Sequence, residues 1–374
     1  DLYELSMAQA YWDQGMRGEA TFSLFFRKMP PERNFILACG QQSLAEILAD
    51  LRFEPEHLRR LERLDLFKPG FLRWLGEFRF NGRIRALPEG TPVFPNEPLL
   101  EIDAPIAEAQ VLESLVMNYV HLETVLASQA ARMVLAARGR PLVDFGMRRM
   151  QGLDAAYRGV HAYRIAGLAG TSNVLAGEDF GLPVRGTMAH SFVQACSDEM
   201  EAFKTYARLY PGTTLLVDTY DTRRAVHQIA DWLTQEPEAQ IDAIRLDSGD
   251  LLEESRYCRE VLDQAGLERV RILASGGLDE YRIHTLLDQG APIDGFGVGT
   301  ALGTGGEAPN LDLAYKLTQY QGQPSMKRSP GKASYPGPKQ VYRTTDAEGR
   351  YAGDQITHQD EKAPGEPLLR TTMS

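Results

Sequence analysis

The chain has 374 residues, of which 43% are hydrophobic and 24% charged, as in ordinary globular proteins with room for two or three domains. Its net charge of −11 argues against a general binder of nucleic acid or membrane surfaces, and no apolar run reaches the roughly 18 residues that a membrane span needs. The three cysteines are far apart and form no CxxC or CxxH spacing, which indicates a reducing cytoplasm and no structural zinc.

The first part of the chain mixes helical and strand patterns. Residues 1–18 predict a capped amphipathic helix, and residues 19–27 alternate apolar and polar side chains as a strand does. Two helices at about 40–66 and a Pro- and Gly-rich β-layer at 78–102 follow. We therefore predict an α+β domain over residues 1–107.

A helical pattern with apolar residues at 3/4 spacing then covers residues 107–138, as one long helix or a broken pair. After it, short apolar strands recur, each ending in Gly, Asp, Thr or Ser, most of them about 20–30 residues apart with helical patterns between them. These strands are predicted at residues 141–146, 171–177, 183–187, 214–219, 243–250, 271–277 and 293–300. This rhythm is typical of repeated βα units, and we predict an incomplete β/α barrel of about seven strands over residues 108–310, with a doubly wound sheet as the alternative.

The remaining residues, 311–374, restart a strand at residues 315–317 and continue into a basic, turn-rich stretch at 326–343. We predict that this segment returns to the N-terminal domain and completes it.

The carboxyl ends of barrel strands meet on one face, where catalytic residues lie. Here they supply His190, an acid/base or nucleophile near neutral pH, and Arg245, which can clamp a phosphate or carboxylate. Asp247 can hold ribose hydroxyls or Mg²⁺. Structural roles remain open: a histidine bonded to a backbone carbonyl, an Arg245–Asp247 ion pair inside the barrel, or Asp218 as a helix cap.

Late glycines offer a phosphate cradle, with simple turns as the alternative: Gly276, Gly277, Gly297 and Gly299, followed by Thr300. There is no dinucleotide fingerprint and no P-loop motif. Phe145 followed by Arg148 would suit a planar ring attached to an anionic group. These residues point to a barrel enzyme for a phosphorylated, anionic small molecule, and they do not fix the reaction.

Ten motifs in order resemble those of the nicotinate phosphoribosyltransferases: D-L-Y-E-L-S-M-A-Q-A-Y-W, F-F-R, D-F-G-M-R-R, G-T-S-N-V-L-A-G, G-T-M-A-H-S, V-D-T-Y-D-T, I-R-L-D-S-G-D, S-G-G, F-G-V-G-T and P-G-P-K-Q-V-Y-R. The resemblance implies the type II phosphoribosyltransferase fold, an incomplete α/β barrel with an α+β domain, and active sites shared across a homodimer. It also implies the reaction of nicotinate with phosphoribosyl pyrophosphate to nicotinate mononucleotide and pyrophosphate. That reaction requires Mg²⁺, is coupled to ATP hydrolysis and leads into NAD.

The resemblance further implies roles for single residues. His190 would be phosphorylated by ATP. Phe145 and Tyr3 from the other subunit would sandwich the pyridine ring, and Thr187 and Arg245 would lie near the nicotinate carboxylate.

The phosphoribosyl group would be held by Arg148 and Asp247, with Asp218 also at the substrate site. Its 5′-phosphate would lie among glycine-rich turns formed by Gly276, Gly277, Gly299 and Thr300. Arg27 would reach the pyrophosphate from the other subunit. The protein ligands of the metal stay unassigned.

The choice between nicotinate and nicotinamide depends on the G-T-S-N stretch. The related nicotinamide phosphoribosyltransferases carry an aspartate there, which accepts from the amide and would repel a carboxylate. Here Ser172 or Asn173 can donate to a carboxylate instead, which favours nicotinate. A catalytically silent phosphate-sensing protein on the same fold is a further alternative, and the presence of His190, Arg245 and Asp247 argues against it.

Overall fold

The computed structural model describes residues 1–329, 332 and 334–373, and the chain divides into two compact units. One unit comprises residues 1–128 with 310–374, and the other comprises residues 129–309. The first boundary lies about twenty residues beyond the predicted one at residue 107, inside a long helix. The predicted turn-rich stretch 326–343 includes residues 330, 331 and 333, which lie outside the described residues.

The described helices are α1 (Leu2–Asp13), α2 (Gln41–Asp50), α3 (Pro55–Glu62), α4 (Pro69–Gly76), α5 (Ile106–Val111), α6 (Glu113–Ala136), α7 (Leu153–Ala166), α8 (Val174–Phe180), α9 (His190–Ala195), α10 (Glu199–Leu209), α11 (Thr222–Gln235), α12 (Leu251–Gln264), α13 (Glu280–Asp288) and α14 (Thr300–Gly303). A short 3₁₀ turn covers Met147–Arg149. The predicted helix over 107–138 is a broken pair, α5 and α6. No helix in the described ranges is long and apolar enough to cross a membrane.

The described strands are β1 (Glu19–Phe26), β2 (Ile36–Leu37), β3 (Arg83–Ala86), β4 (Pro92–Val93), β5 (Leu100–Pro105), β6 (Leu142–Asp144), β7 (Gly170–Thr171), β8 (Thr213–Leu216), β9 (Ile241–Leu246), β10 (Arg271–Ala274), β11 (Gly295–Val298), β12 (Leu313–Tyr320), β13 (Gln323–Pro324), β14 (Lys339–Thr345), β15 (Tyr351–His358), β16 (Glu366–Pro367) and β17 (Arg370–Met373).

The first unit is built on a sheet with the strand order β13-β12-β1-β5-β3-β17. Two strands from the end of the chain, β12 and β17, pair antiparallel with β1 and β3. The C-terminal segment thus adds strands to the N-terminal sheet. Phe22 stacks on Tyr315 with ring centroids 4.8 Å apart, and burying such a side chain stabilises the fold by roughly 1.5–3 kcal/mol.

The alternation predicted for residues 19–27 does not produce an exposed face, because β1 is buried from Ala20 to Phe26. Its inward hydroxyls meet charged neighbours, and Ser23 donates to Glu101 of β5. Glu101 in turn pairs with Arg85 and with Lys339, whose Nζ lies 2.9 Å from the carboxylate. Burial lowers the pKa of Lys339, and Glu101 opposes that shift. Such charges are tolerated inside a protein only when they are paired in this way.

The second unit is built on a parallel sheet of six described strands in the order β7-β6-β11-β10-β9-β8. Strands that are successive along the chain are neighbours, except β7 and β8, which form the two edges, and the last strand, β11, pairs with the first, β6. This wrap-around order is that of a barrel and not of a doubly wound sheet, so the sheet is a curled half-barrel. The opening lies between β7 and β8.

Two of the predicted strands are wrong in detail. Of residues 171–177 only Thr171 belongs to a strand, the short β7, because Asn173 caps helix α8 directly after it. The predicted strand 183–187 is reduced to an isolated bridge between Thr171 and Val184, after which the chain leaves the sheet towards His190. The sheet therefore has six described strands where seven were predicted.

Candidate active site

His190 is the first residue of α9, at the carboxyl side of the half-barrel sheet. Its Nδ1 lies 3.1 Å from the hydroxyl oxygen of Thr219, the residue directly after Asp218. Its Nε2 lies 4.0 Å from Oδ1 of Asp218 and 3.9 Å from Oδ2 of Asp247. The ring is 40% exposed, so a ligand can reach it. The alternative of a histidine held by a backbone carbonyl is not what the structure shows.

Asp218 is the buried carboxylate of this group, with a side chain only 3% exposed. Its Oδ2 accepts from the backbone N–H of Asp247 at 3.1 Å and from the hydroxyl of Ser248. Its Oδ1 is buried and has no hydrogen-bond partner within the described residues, and it faces His190. An unpaired buried oxygen is costly, so this atom is a candidate to contact a proton or a cation.

Arg245 links several strand ends. One terminal nitrogen donates to Asp247 Oδ1 and to Ser275 Oγ, both at 3.1 Å, and the other donates to the Met188 carbonyl at 2.9 Å. Burial lowers the pKa of this guanidinium, while Asp247 and Asp218 counteract the shift. The predicted Arg245–Asp247 ion pair is therefore present, and its members face His190 and the loop before it.

The S-G-G turn contributes a hydroxyl that the sequence interpretation missed. Ser275 donates to Asp247 and accepts from Arg245, so it fixes both partners of the ion pair. Gly276 has a φ of +87°, and a Cβ there would lie 2.0 Å from the Asp247 carbonyl oxygen. Gly276 is thus required by close packing against Asp247. Gly277 also has a positive φ, of +59°.

Phe145 follows β6 and is half-buried. Its ring packs against Gly297, where a Cβ would lie 2.4 Å from the ring, and the Arg245 guanidinium carbon is 5.9 Å from the ring centroid. Gly297 was predicted to be part of a phosphate cradle, and in the structure it makes room for this aromatic ring. The other two members of that predicted cradle, Gly299 and Thr300, lie where β11 passes into α14.

The two candidate donors in the G-T-S-N stretch differ. Asn173 is 5% exposed, its Oδ1 accepts from the Ala176 N–H as the cap of α8, and its Nδ2 donates to the Ala156 carbonyl. Its side chain is largely used by the fold, so a contact between Asn173 and a ligand stays a prediction. Ser172 is partly exposed and is the better placed donor.

Four further predicted residues lie at the surface or in the other unit. Thr187 is partly exposed and donates to the Met188 carbonyl. Arg148 is exposed in the 3₁₀ turn and close enough to Arg245 to affect its pKa. Tyr3 is 58% exposed on α1 of the first unit. Arg27, also in the first unit, pairs with Asp312 at 2.9 Å.

These features define a class of protein: a half-barrel enzyme with a histidine between two carboxylates, beside an arginine and an aromatic face. A sequence model described as the nicotinate phosphoribosyltransferase N-terminal domain matches residues 1–121, and the model of the nicotinate phosphoribosyltransferase family matches residues 141–334. The chain belongs to the nicotinate phosphoribosyltransferase family, as its motifs predicted.

Similar proteins agree with this assignment. The chain is 53% identical to "Nicotinate phosphoribosyltransferase pncB2" of Mycobacterium tuberculosis over 376 aligned positions, which cover all of this chain and 81% of that protein. It is 38% identical to the Bacillus subtilis nicotinate phosphoribosyltransferase, over 99% of this chain and 78% of that protein. The crystal structure of human nicotinic acid phosphoribosyltransferase superposes with a TM-score of 0.87 at 28% identity, covering 100% of this chain and 88% of the human chain.

Proposed function

We propose that the chain transfers the 5-phosphoribosyl group from phosphoribosyl pyrophosphate to nicotinate, giving nicotinate mononucleotide and pyrophosphate for NAD synthesis in the cytoplasm. The observation that carries this proposal is His190 Nε2 between Asp218 and Asp247, within a family match that spans residues 141–334. Three unpaired cysteines support the cytoplasmic setting.

His190 is the phosphate acceptor in this proposal. With the imidazole proton on Nδ1, which lies 3.1 Å from the Thr219 hydroxyl, the lone pair of Nε2 is free to attack the γ-phosphorus of ATP. The Nε2–P bond forms as the bond to the ADP oxygen breaks. The sequence interpretation did not single out Thr219, although it lies in the V-D-T-Y-D-T motif.

Asp218 and Asp247 are suited to hold Mg²⁺, because this ion prefers carboxylate oxygens. Oδ1 of Asp218 also has no hydrogen-bond partner within the described chain. Such an ion would neutralise phosphate charge near two carboxylates. Without a cation, these carboxylates would repel the phosphates of ATP and of pyrophosphate.

In the transfer step, the pyridine nitrogen bonds to the anomeric carbon as the bond to pyrophosphate breaks. No general base is needed, since that nitrogen already has a free lone pair. Phe145 supplies the stacking face, while Ser172, Thr187 and Arg245 recognise the carboxylate. A hydroxyl and a guanidinium favour nicotinate over nicotinamide.

The phosphoribosyl group binds to Arg148 and Asp247 in this proposal, with its 5′-phosphate beside Gly276, Gly277, Gly299 and Thr300. Backbone N–H groups of such glycine-rich turns can approach an anion closely. Arg148 is exposed and free to meet a charged ligand.

A homodimer would complete each site with Tyr3 and Arg27 from the other subunit. The second unit exposes large apolar side chains that a partner would cover, among them Leu153, Val174 and Leu175. Mixing Tyr3→Ala with His190→Ala subunits tests this sharing. If sites are shared, half of the dimers are mixed and each regains one intact site, so activity returns to about a quarter of wild type. Mixtures as inactive as the parents would refute sharing.

The reaction itself is tested by pyrophosphate release from phosphoribosyl pyrophosphate and Mg²⁺, with nicotinate or nicotinamide, each with and without ATP. We expect turnover on nicotinate that ATP enhances. An acid-labile label from γ-labelled ATP should appear in wild type and in His227→Asn, a surface histidine of α11, and be lost in His190→Asn. Turnover on nicotinamide alone would contradict the Ser172 argument, and a folded protein without any turnover would indicate a silent phosphate-binding protein.

A further inference from the structure

The buried acid Asp144 lies between two loops that the proposed reaction uses. It is the last residue of β6, directly before Phe145, and it is 2% exposed. The reaction assigns it no role, because its carboxylate points away from solvent. Its contacts nevertheless extend to both walls of the proposed pyridine site.

One set of contacts holds the G-T-S-N loop. The side-chain Oδ2 of Asp144 accepts from the Thr171 hydroxyl at 2.7 Å, and its carbonyl oxygen accepts from the backbone N–H of Ser172 at 2.9 Å. The Thr171 hydroxyl also accepts from the N–H of Asn173 at 3.1 Å. Ser172 is thus fixed at its own nitrogen and on both sides.

The other contacts hold the Phe145 loop. Oδ1 of Asp144 accepts from the backbone N–H of Gly146 at 2.7 Å, and the Phe145 N–H donates to the Val298 carbonyl at 2.7 Å. The turn is tight, since a Cβ on Gly146 would lie 2.9 Å from Oδ1 of Asp144. The backbone on both sides of the Phe145 ring is therefore constrained.

Keeping a carboxylate here has a cost to stability. Burial raises the pKa of Asp144, and the donors Thr171 and Gly146 only partly oppose the shift. An apolar residue would fill the same space without desolvating a charge. What it could not do is accept two donors from two different loops at once.

We infer that Asp144 is a positioning residue for the pyridine substrate: it sets the distance between the ring face of Phe145 and the hydroxyl of Ser172. This inference rests on the proposed function, which gives those two side chains their ligand contacts. Loosening Asp144 should therefore weaken nicotinate binding most and leave the ATP site, which uses His190 and the strand ends at Asp218 and Asp247, nearly unchanged. The phosphoribosyl pyrophosphate site should be affected to a smaller degree, because of its proposed residues only Arg148 lies on the Phe145 loop.

The test compares variants of the two bonded partners. Thr171→Val removes the hydroxyl, Thr171→Ser retains it, and Asp144→Asn turns one acceptor into a donor. The matched control is Asp294→Asn, whose carboxylate accepts from the Ile272 N–H at 2.7 Å at the opposite end of the sheet. For each variant, KM values for nicotinate, phosphoribosyl pyrophosphate and ATP, kcat and the unfolding midpoint are measured.

We expect Thr171→Val and Asp144→Asn to raise the nicotinate KM by roughly 10- to 100-fold, the loss typical of a misplacement of about 1 Å. The KM for ATP should change by less than about twofold, and the KM for phosphoribosyl pyrophosphate should rise less than that for nicotinate, because only Arg148 of that site follows Phe145 on the same loop. Thr171→Ser should restore the wild-type values. The nicotinate KM of the double variant Asp144→Asn/Thr171→Val should be no higher than that of the poorer single variant, because both substitutions break the same hydrogen bond.

Equal losses in all three KM values, or losses that follow the unfolding midpoint alone, would overturn the positioning role and show that Asp144 only stabilises the fold. An unchanged nicotinate KM in folded Thr171→Val would also overturn the positioning role. The Thr171→Val variant keeps the test valid if Asp144→Asn does not fold. Wild-type protein is assayed first, since absence of nicotinate turnover there would refute the proposed function and this inference with it.

Discussion

Gly297 offers a direct test of how the aromatic wall of the site is built. In the structure a Cβ at this position would lie 2.4 Å from the Phe145 ring and 3.3 Å from Cβ of Ser275. Carbon atoms in ordinary contact are about 3.5 Å apart, so Gly297→Ala must displace the Phe145 ring by about 1 Å. Ser275 blocks the alternative shift, because it is buried and holds Arg245 and Asp247.

A displacement of about 1 Å in a substrate-positioning group can reduce catalysis about 100-fold. We expect Gly297→Ala to raise the nicotinate KM by roughly one to two orders of magnitude. His190 phosphorylation by ATP should be unaffected, because neither His190 nor Asp218 contacts this ring. Steady-state kinetics with nicotinate varied at saturating phosphoribosyl pyrophosphate measures the first effect, and the acid-labile label from γ-labelled ATP measures the second.

The matched control is Gly353→Ala on β15 of the first unit, where a Cβ would meet nothing within 4 Å. That variant should keep both activities. A Gly297→Ala enzyme with a normal nicotinate KM would refute the stacking role of Phe145. Loss of His190 phosphorylation in the same variant would show instead that the substitution disturbs the whole site.

Three further predictions concern charge. Asp218→Asn should slow phosphorylation of His190 at least tenfold in the γ-labelled ATP assay, with little change in the unfolding midpoint. The variant removes a proposed Mg²⁺ ligand 4.0 Å from His190 Nε2, and unit charges about 4 Å apart interact by up to about 4 kcal/mol near a protein surface. Burial and a hydrogen bond to Asp354 raise the pKa of Glu97 from 4.5 to about 8, so the folded state holds a proton that the unfolded state loses in this range. The free energy of unfolding should therefore fall as pH rises from about 4.5 to 8, by at most about 1.4 kcal/mol per pH unit, and Glu97→Gln should flatten this slope in denaturant titrations. Lys339→Met leaves Glu101 with one cation fewer and should lower the free energy of unfolding by roughly 3–5 kcal/mol in the same titration. The control Arg350→Met, at the exposed surface, should change the free energy of unfolding by less than about 0.5 kcal/mol.

Much of the half-barrel could be predicted because its signal is local. Apolar runs that end in Asp, Ser or Gly gave the right positions for β6, β8, β9, β10 and β11. Residues 171–177 failed because a short apolar run such as V-L-A fits a helix as well as a strand. The available signal was Asn173 directly before that run, which is the ordinary composition of a helix cap.

The types of residue at the site could be predicted from the sequence, but fewer of the contacts between them could. His190, Arg245 and Asp247 were found because strand ends converge, whichever strands lie side by side. Thr219 and Ser275 were missed because their partners are His190 and Arg245, 29 and 30 residues away in other elements of the fold. The side chain that a hydroxyl will contact cannot be predicted from its motif until the strand order is known.

The charge distribution explains how an acidic chain can use anionic substrates. The net charge of −11 repels nicotinate and phosphates at long range, but salt screens such fields beyond about 10 Å. Inside the half-barrel, Arg245 pairs with Asp247 at 3.1 Å, and Asp218 and Arg148 lie close enough to influence the pKa of Arg245, so groups of both signs are present at the site. In the proposed reaction, substrate phosphates would bind beside the aspartates together with a cation, so we expect both the ATP step and the phosphoribosyl transfer to depend on Mg²⁺. Chelation should abolish His190 phosphorylation and phosphoribosyl transfer together, and phosphorylation that persists in chelator would show that the protein's own cations suffice.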